Sequence, residues 1–461
     1  MSEAAPAPEM PASKSGGATS GADGSGGSAG SGGSAGSGAS AGVGRSGAGQ
    51  DVPPAPRSNQ VLRDIMGGSV VISILAVVLA LAAGGILIAL TDENVQAAWG
   101  YFFSRPGDTF SAVWTAVSGA YGALFQGSVY NFGAANFAKA IKPLTDTLTF
   151  ATPLITAGLG VGLAFRAGMF NIGGQGQMII AAACAGWVGF SFPLPYGIHL
   201  VLAVIAGVIG GAVWGGIVGL LKARTGAHEV IVTIMMNYIA VYLLLYLLRT
   251  PGALQAPGSN NPKTPATLPT AVYPDLLGSS FNLHAGFLVS VAATVFVWWL
   301  LSRSSLGFTV RAVGINPNAA RVAGINVKRS YIYVMLLSGG LVGLAGVAQV
   351  LGTVTSGFSS GIDAGIGFDA ITVALLGRSK PWGIFVAGIL FGAFKAGGFA
   401  MQAGEGIPVD IVLVVQSLIV LFIAAPPLVR AVFRLPTPGV TKKPTAKPPK
   451  QPAQSIAVVA K

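Results

Sequence analysis

The chain has 461 residues, of which 52% are hydrophobic and only 9% are charged, and its mean hydropathy is +0.68. An average soluble protein carries about 25% charged residues. The composition therefore excludes an ordinary cytosolic globular enzyme and a mostly disordered protein, and it favours a polytopic membrane protein. The formal net charge is +12. In a membrane protein such an excess is more typical of cytoplasmic loops than of nucleic-acid binding, so we expect no nucleic-acid partner.

Both ends of the chain differ in composition from its centre. Residues 1–66 are rich in Gly, Ser and Ala, and residues 431–461 are rich in Pro and Lys. Neither segment has enough apolar surface to offset the entropy lost on folding. We expect two disordered cytoplasmic tails around a transmembrane domain at residues 67–430. No early apolar stretch resembles a cleavable signal peptide.

The transmembrane domain contains about ten segments that are long and apolar enough to be membrane-spanning helices. In chain order they are residues 68–90, 148–165, 178–192, 200–221, 230–248, 286–301, 331–351, 366–377, 383–400 and 411–425. The pattern predicts an all-α polytopic membrane protein. Segment 110–125 is only moderately apolar, and we expect an external interfacial or re-entrant helix there.

The loop charges predict the orientation in the membrane. With a cytoplasmic N-terminus and an even number of spans, most Lys and Arg residues of the loops fall on the cytoplasmic side, including those of loop 303–329. This distribution follows the positive-inside rule. We therefore expect both termini to be cytoplasmic.

The sequence contains no signature of catalysis. It has no Walker A motif, no H-E-x-x-H or paired-Cys pattern, and no cluster of polar catalytic residues. We expect no catalytic residue, no metal ligand and no cofactor bound by this chain.

Glycine is the dominant signal inside the spans. Gly207, Gly211, Gly215 and Gly219 recur every four residues, which places them on one helix face and lets another helix approach closely. Packing within the chain is the favoured interpretation, and a subunit interface is the alternative.

Polar residues at membrane depth are functional candidates by default. Glu229, Thr233 and Asn237 lie on one face of the fifth predicted span. Thr233 and Asn237 are expected to line a wet cavity, although an interhelical hydrogen bond would also explain them. Glu229 stands at the helix start, where it either complements the helix dipole or contributes to function. The pattern leaves both possibilities open.

Two glycine-broken turns precede apolar segments in loosely corresponding places. The first contains Phe170, Asn171, Gln175 and Gln177, and the second leads to Asp369. Such turns are typical of a substrate path built from discontinuous helices. The alternatives are ordinary loop turns and an N-cap role for Asp369.

Lys395 lies toward the outer end of the ninth predicted span. We expect its side chain to snorkel to the outer surface rather than to contact substrate.

Loop 303–329 is the most informative soluble segment. Asn316-Pro317 is a helix-start signal, and Gly324 is a helix-stop signal. A short amphipathic helix here would dock into a groove of a cytoplasmic partner or rest on the bilayer.

Six segments together resemble permease subunits of bacterial ATP-binding-cassette (ABC) importers of the branched-chain amino acid, ribose and nucleoside group. They are ATPLITAGL from Ala151, FNIGGQGQ from Phe170, EVIVTIMMNY from Glu229, RAVGINPNAAR from Arg311, SGGLVGLAG from Ser338 and GFDAITVALLG from Gly367. The resemblance covers about residues 140–425. It is greatest to nucleoside-type permeases that work with a basic-membrane-protein-type binding lipoprotein.

The resemblance implies an architecture and a set of partners. The fold would be that of the larger class of ABC importer permeases, in the bacterial cell membrane. The partners would be a second homologous permease, an extracytoplasmic binding lipoprotein, and two ATPase subunits or one fused tandem ATPase, which would use ATP and Mg²⁺. The family usually has an acid where this chain has Gln175, which puts the role of that position in doubt.

The resemblance also implies residue roles. Nucleosides are the expected substrate, with a ribose-like sugar or branched-chain amino acids as alternatives and an ATP-independent secondary transporter as the competing class. Loop 303–330 matches the segment that couples to the ATPase, through Arg311, Gly314, Asn316, Pro317, Ala320, Arg321 and Gly324.

Overall fold

The computed structural model describes residues 69–278 and 280–434. The predicted tails at 1–66 and 431–461 lie outside the described residues, except for residues 431–434. Those four residues are not part of a disordered tail but complete a short helix and a turn. The apolar run Leu428, Val429, Val432 continues past Arg430 and extends this helix.

The described residues form fifteen α-helices. Their bounds are Ser69–Thr91 (α1), Glu93–Trp99 (α2), Pro106–Ser128 (α3), Phe137–Arg166 (α4), Gly174–Ser191 (α5), Ile198–Thr225 (α6), Glu229–Arg249 (α7), Gly286–Arg303 (α8), Ser305–Ile315 (α9), Pro317–Val322 (α10), Val327–Ala348 (α11), Ile366–Leu376 (α12), Pro381–Glu405 (α13), Val409–Ala424 (α14) and Pro426–Val432 (α15).

All ten predicted spans are helical, but fewer are long and apolar enough to cross a bilayer. Among the described residues, seven helices meet that test, and α14 with α15 makes an eighth if this bent pair is one span. The predicted spans at α5 and α12 do not meet it. Helix α5 opens with the polar turn Gly-Gln-Gly-Gln, and the eleven residues of α12 reach only about 16 Å against a hydrocarbon core of about 30 Å. Helix α3, which contains segment 110–125, is not among the spans either.

Helices α4 and α11 are at the centre of the bundle, with 83% of the span window buried in each. The glycine face of α6 packs directly on α11. A Cβ on Gly211 would stand 2.5 Å from the carbonyl oxygen of Gly339, and a Cβ on Gly215 would stand 2.5 Å from that of Met335. No side chain fits between the backbones, so the stripe serves packing within the chain, as predicted.

Helices α4 and α13 run antiparallel and define two ends of the bundle. Gly392 of α13 packs against Thr147 and Ala151 of α4. The C-terminal end of α4 therefore lies beside the start of α13, and we name this the Arg166 end. The opposite end, where α4 begins and α13 finishes, is the Asp146 end.

Candidate functional site

The turn between α4 and α5 is held together by amide side chains. Asn171 is fully buried and donates through Nδ2 to Gln177 Oε1 (3.0 Å) and to Ser338 Oγ (2.8 Å). Its Oδ1 accepts from the Gly173 N–H (3.0 Å) and from Gln177 Nε2 (3.1 Å). The turn is thus fixed to α11 and has one well-defined geometry.

The polar residues of α7 face this same turn. Asn237 accepts from the Gly176 N–H (2.8 Å) and donates to the Ile172 carbonyl (2.9 Å). It is 3% exposed, and Thr233 is fully buried, donating to the Val230 carbonyl of its own helix. Asn237 therefore makes the interhelical hydrogen bonds considered as an alternative above. A role of Thr233 and Asn237 in a substrate path stays a prediction.

Glu229 connects α6, α7 and the turn at the Arg166 end. Its carboxylate pairs with Lys222 at 2.5 Å and accepts the backbone N–H of Phe170. Lys222 also lies 5.3 Å from the centroid of the Tyr331 ring on α11. Glu229 is thus more than a helix-terminal acid, because its contacts join three segments.

Helices α5 and α12 begin at the same point inside the bundle and diverge. A Cβ on Gly174 would stand 2.8 Å from the Gly367 carbonyl oxygen. Helix α5 then runs toward the Asp146 end, where Gly189 accepts from the Leu268 N–H, whereas α12 runs toward the Arg166 end. The two glycine-broken turns singled out from the sequence are therefore in direct contact.

An ion pair links the first turn of α12 to α13 beside this junction. Asp369 Oδ2 lies 2.7 Å from Lys395 Nζ, and their side chains are 22% and 17% exposed. Lys395 also donates to the Ala364 carbonyl at 3.4 Å. The prediction that Lys395 snorkels to the surface is wrong, because a carboxylate within reach offers the ammonium a better partner. Asp369 is not the N-cap either, since Gly365 occupies that position.

A second carboxylate, Asp363, stands at the same junction. It is 6% exposed and accepts from the Gly365 N–H at 3.3 Å. Burial raises its pKa, while the bonds from Gly365 and from the Gln175 side chain, together with the charge of Lys395, oppose that rise. Gln175 thus bonds an acid supplied by another segment.

Phe170 is the exposed member of the first turn. Its side chain is 56% exposed, and its ring lies 5.3 Å from that of Phe165. Of the predicted path residues, Phe170 is exposed and Gln175 and Asp369 are partly buried, whereas Asn171, Gln177, Thr233 and Asn237 are buried.

Two polar cavities open at the Asp146 end. The larger, of about 930 Å³, is lined by α3, α4 and α13 and includes Lys142, Asp146, Phe399 and Glu405. The smaller, of about 480 Å³, includes Asp146, Phe150 and Asn282. Both volumes are within the range of small-molecule sites.

Segment 303–329 forms two short helices at the Arg166 end. Asn316 ends α9 and caps α10, because its Oδ1 accepts from the N–H groups of Asn318 (3.0 Å) and Ala319 (3.1 Å). Helix α10 then ends before Gly324, whose φ is +83°. This is the helix that the Asn-Pro and Gly signals predict. Ala320 is buried in a small apolar cluster, whereas Val322 is 91% exposed.

The segment is connected to the junction through the end of α4. Gly314 packs on the main chain of Arg166 and Ala167 with no space for a Cβ. Arg166 Nε in turn donates to the Ser379 carbonyl at 2.9 Å. Ser379 lies in the turn between α12 and α13, where its φ is +50°. A contiguous contact path therefore links segment 303–329, through the end of α4, to the turn between α12 and α13.

Most of the chain matches the family described as branched-chain amino acid transport system / permease component, over residues 144–424. The chain belongs to this family. It is a multi-pass membrane permease whose role is transport and not catalysis. Within the described residues, no group of three or more His, Cys, Asp or Glu side chains could hold a metal ion.

Relatives with assigned substrates are similar over most of their length. The guanosine ABC transporter permease protein NupP of Bacillus subtilis is 36% identical over 78% of this chain and 95% of its own. The nucleoside ABC transporter permease protein NupB of Lactococcus lactis is 33% identical over 61% and 79%. The glucose ABC transporter permease protein TsgB13 of Haloferax volcanii is 34% identical over 76% and 86%. No solved structure shows a significant match.

Sequence reasoning missed Arg166, Ser338, Asp363 and the pairing of Lys395. Ser338 opens the glycine-rich string SGGLVGLAG, which contributes to the family resemblance but has no local signal of the Ser338 hydrogen bonds. A charged residue inside an apolar span was the available signal for Lys395. No local signal identifies Arg166, because a basic residue at a span end is ordinary.

Proposed function

We propose that the chain is the permease subunit of an ATP-driven importer for nucleosides. The observation that carries this proposal is the 36% identity to the guanosine permease over 95% of that protein's length. Substrate is delivered by an extracytoplasmic binding lipoprotein, and hydrolysis takes place in two cytoplasmic ATPase subunits or one fused tandem ATPase. A second homologous permease completes the membrane unit.

The geometry supports one assignment of sides. The Arg166 end, which holds the basic segment 303–329, is cytoplasmic, and both termini lie on that side. The Asp146 end then faces outward, and its two cavities form the mouth that receives substrate. The path continues past Phe170, Gln175 and Asp369, with Asn171, Gln177, Thr233 and Asn237 holding its walls.

Coupling begins at segment 303–329. Arg311, Arg321 and the exposed face of α10 contact the ATPase, while Gly314 transfers displacement to the end of α4. Arg166 carries it onward to the turn between α12 and α13. Alternating exposure of the path then follows from movement of α5 and α12 relative to α4 and α11.

A sugar is the second candidate substrate. The 34% identity to the glucose permease, over 86% of that protein's length, favours it. Only the family description supports branched-chain amino acids as a substrate. An ATP-independent secondary transporter is the remaining class.

Uptake into liposomes tests the proposal. The full chain, co-purified with its partner subunits and supplied with the binding protein, is expected to accumulate tritiated guanosine only when ATP is present at the ATPase face. Accumulation of glucose or ribose without guanosine would replace the substrate. Uptake at full rate by this chain alone without ATP would refute the importer class.

A further inference from the structure

The pair Asp369 and Lys395 is unusual in its position. It joins α12 to α13 inside the bundle, beside the contact of Gly174 with Gly367. Charged side chains do not face lipid hydrocarbon without a large cost. Because 22% of the Asp369 side chain and 17% of the Lys395 side chain are exposed, this face must border water or another polar surface.

Both charged groups keep hydrogen-bonding capacity beyond their mutual contact. An ammonium has three N–H donors, and a carboxylate has about four acceptor positions. Lys395 uses its donors on Asp369 Oδ2 and, at the long distance of 3.4 Å, on the Ala364 carbonyl. The pair therefore presents a donor and an acceptor side by side to whatever occupies the exposed face.

Two half-exposed aromatic residues are close to the pair along the chain. Phe368 is the residue before Asp369, and Phe399 follows Lys395 by one helical turn. Phe368 is 50% exposed and Phe399 is 55% exposed. The Phe399 ring also packs at 5.8 Å against Phe150, which fixes its position. Phe399 lies on the same face of α13 as Lys395, so it places a flat apolar ring beside a donor and an acceptor. This arrangement matches a planar heterocycle, since every nucleobase has a π-face and polar edges.

The larger cavity at the Asp146 end borders the stretch of α13 that directly follows Lys395. Phe399 and Ala396, which follow Lys395 on α13, line the cavity of about 930 Å³ at the Asp146 end. The charge balance excludes some occupants. Asp363 interacts with the same Lys395 ammonium, so a ligand carboxylate or phosphate would meet two acids and one base. A neutral ligand therefore suits a site with two acids and one base better than an amino acid or a sugar phosphate does.

We propose that Asp369 and Lys395, with Phe399 one helical turn after Lys395 on the same face of α13, hold the base of a nucleoside during its passage. This inference rests on the proposed function and deepens it. The base, rather than the ribose, then contacts the ion pair between α12 and α13.

Photolabelling of the complete complex tests the location. The full chain with its partner subunits, in liposomes, is labelled with 8-azidoguanosine and digested for mass spectrometry. Label is expected on peptides that contain Phe368 or Phe399, and excess guanosine but not D-ribose is expected to suppress it. Label confined to other segments, or equal suppression by ribose, overturns the inference.

Substitutions test the chemistry. Asp369→Asn is expected to reduce labelling at least about ten-fold, the loss of one charge-assisted hydrogen bond. Exchanging the charges, with Asp369→Lys and Lys395→Asp together, preserves an ion pair and is expected to restore the amount of folded complex but not the labelling. Full labelling of the exchanged variant would show that the pair is only structural.

A ring variant remains informative if the charge variants fail to fold. Phe399→Leu is expected to raise the guanosine concentration that half-suppresses labelling, whereas Phe296→Leu, a comparably exposed ring on α8 (42%), is the matched control. The same half-suppressing guanosine concentration in both variants refutes the ring contact. Absence of any nucleoside uptake by the unmodified complex refutes the proposed function instead, whereas normal uptake with label elsewhere refutes only this inference.

Discussion

Gly314, in the last turn of α9, packs directly on the main-chain carbonyl of Arg166 at the end of α4. This contact is one place where the segment proposed to bind the ATPase meets the transmembrane core. Because there is no gap between the two backbones, α9 cannot move toward the end of α4 without displacing it.

Gly314→Ala is expected to weaken coupling. The added methyl group overlaps the Arg166 carbonyl, so α9 must move away, and overpacking of this kind costs about 1–3 kcal/mol. The measurement is uptake per ATP hydrolysed in liposomes. If about 1.4 kcal/mol of the packing cost falls on the step that links ATP hydrolysis to transport, this ratio should fall about ten-fold. Gly107→Ala, where a Cβ meets nothing within 4 Å, is the control. An unchanged ratio for Gly314→Ala counts against transmission through this contact.

Arg166→Gln is expected to have a similar phenotype for a different reason. It removes the donor to the Ser379 carbonyl, a charge-assisted bond of about 1.5–3 kcal/mol, and so separates α4 from the turn before α13. Ser379→Gly should be tolerated, because a φ of +50° suits glycine better than serine. Uptake per ATP and thermal stability are measured together. Loss of thermal stability with an unchanged uptake per ATP hydrolysed would assign Arg166 a purely structural role.

Asn237→Ala is expected to destabilise the protein. It leaves the buried Gly176 N–H and the partly buried Ile172 carbonyl without their partner, and a buried unsatisfied group costs about 1–3 kcal/mol. The midpoint of thermal unfolding in detergent should drop by several degrees. Tyr238→Phe, at the neighbouring position with a side chain 58% exposed, should leave it unchanged. Equal midpoints for both variants would contradict the hydrogen bonding described for the turn.

Stability should fall in mild acid because of His284. Burial lowers its pKa to about 4, against the opposing charge of Asp275, and its Nδ1 accepts the Gly286 N–H at 3.2 Å. The folded protein therefore prefers neutral His284, whose contribution is complete above the unfolded pKa of about 6.5. That contribution is lost progressively as the pH falls toward 4, by about 3 kcal/mol at most.

Unfolding midpoints between pH 7.5 and pH 4.5 measure this effect. His284→Gln is expected to flatten the acid side of the curve, since it removes the titrating ring. A variant with the same acid loss as the unmodified chain would show that another group is responsible.

Local chemistry explains which features the sequence could predict. Asn316-Pro317 and Gly324 specify the start and end of α10 through capping and backbone conformation, which depend on neighbouring residues alone. The spacing of Gly207 and Gly211 specifies a close helix contact. Apolarity alone gives a higher number of spans, because α5 opens with a polar turn and α12 has only eleven residues.

Pairings between residues that are far apart in the chain could not be predicted from the sequence. Lys395 lies 26 positions after Asp369 in the sequence, and only the packing of α12 against α13 shows that an acid is within its reach. Gln175 likewise finds Asp363 through tertiary structure. The sequence places Asn237 on a polar helix face. Whether its side chain hydrogen-bonds a neighbouring backbone or lines a cavity depends on the position of the 170–177 turn.

ATP-dependent accumulation of tritiated guanosine is the most direct test of the central claim. The complete complex is reconstituted in liposomes with the binding protein outside, and uptake is compared with and without ATP enclosed at the ATPase face. The account predicts accumulation above the external concentration with ATP, none without ATP, and none by this chain alone. Equal uptake in the presence and absence of ATP, or ATP-driven uptake of sugar but not of nucleoside, would contradict it.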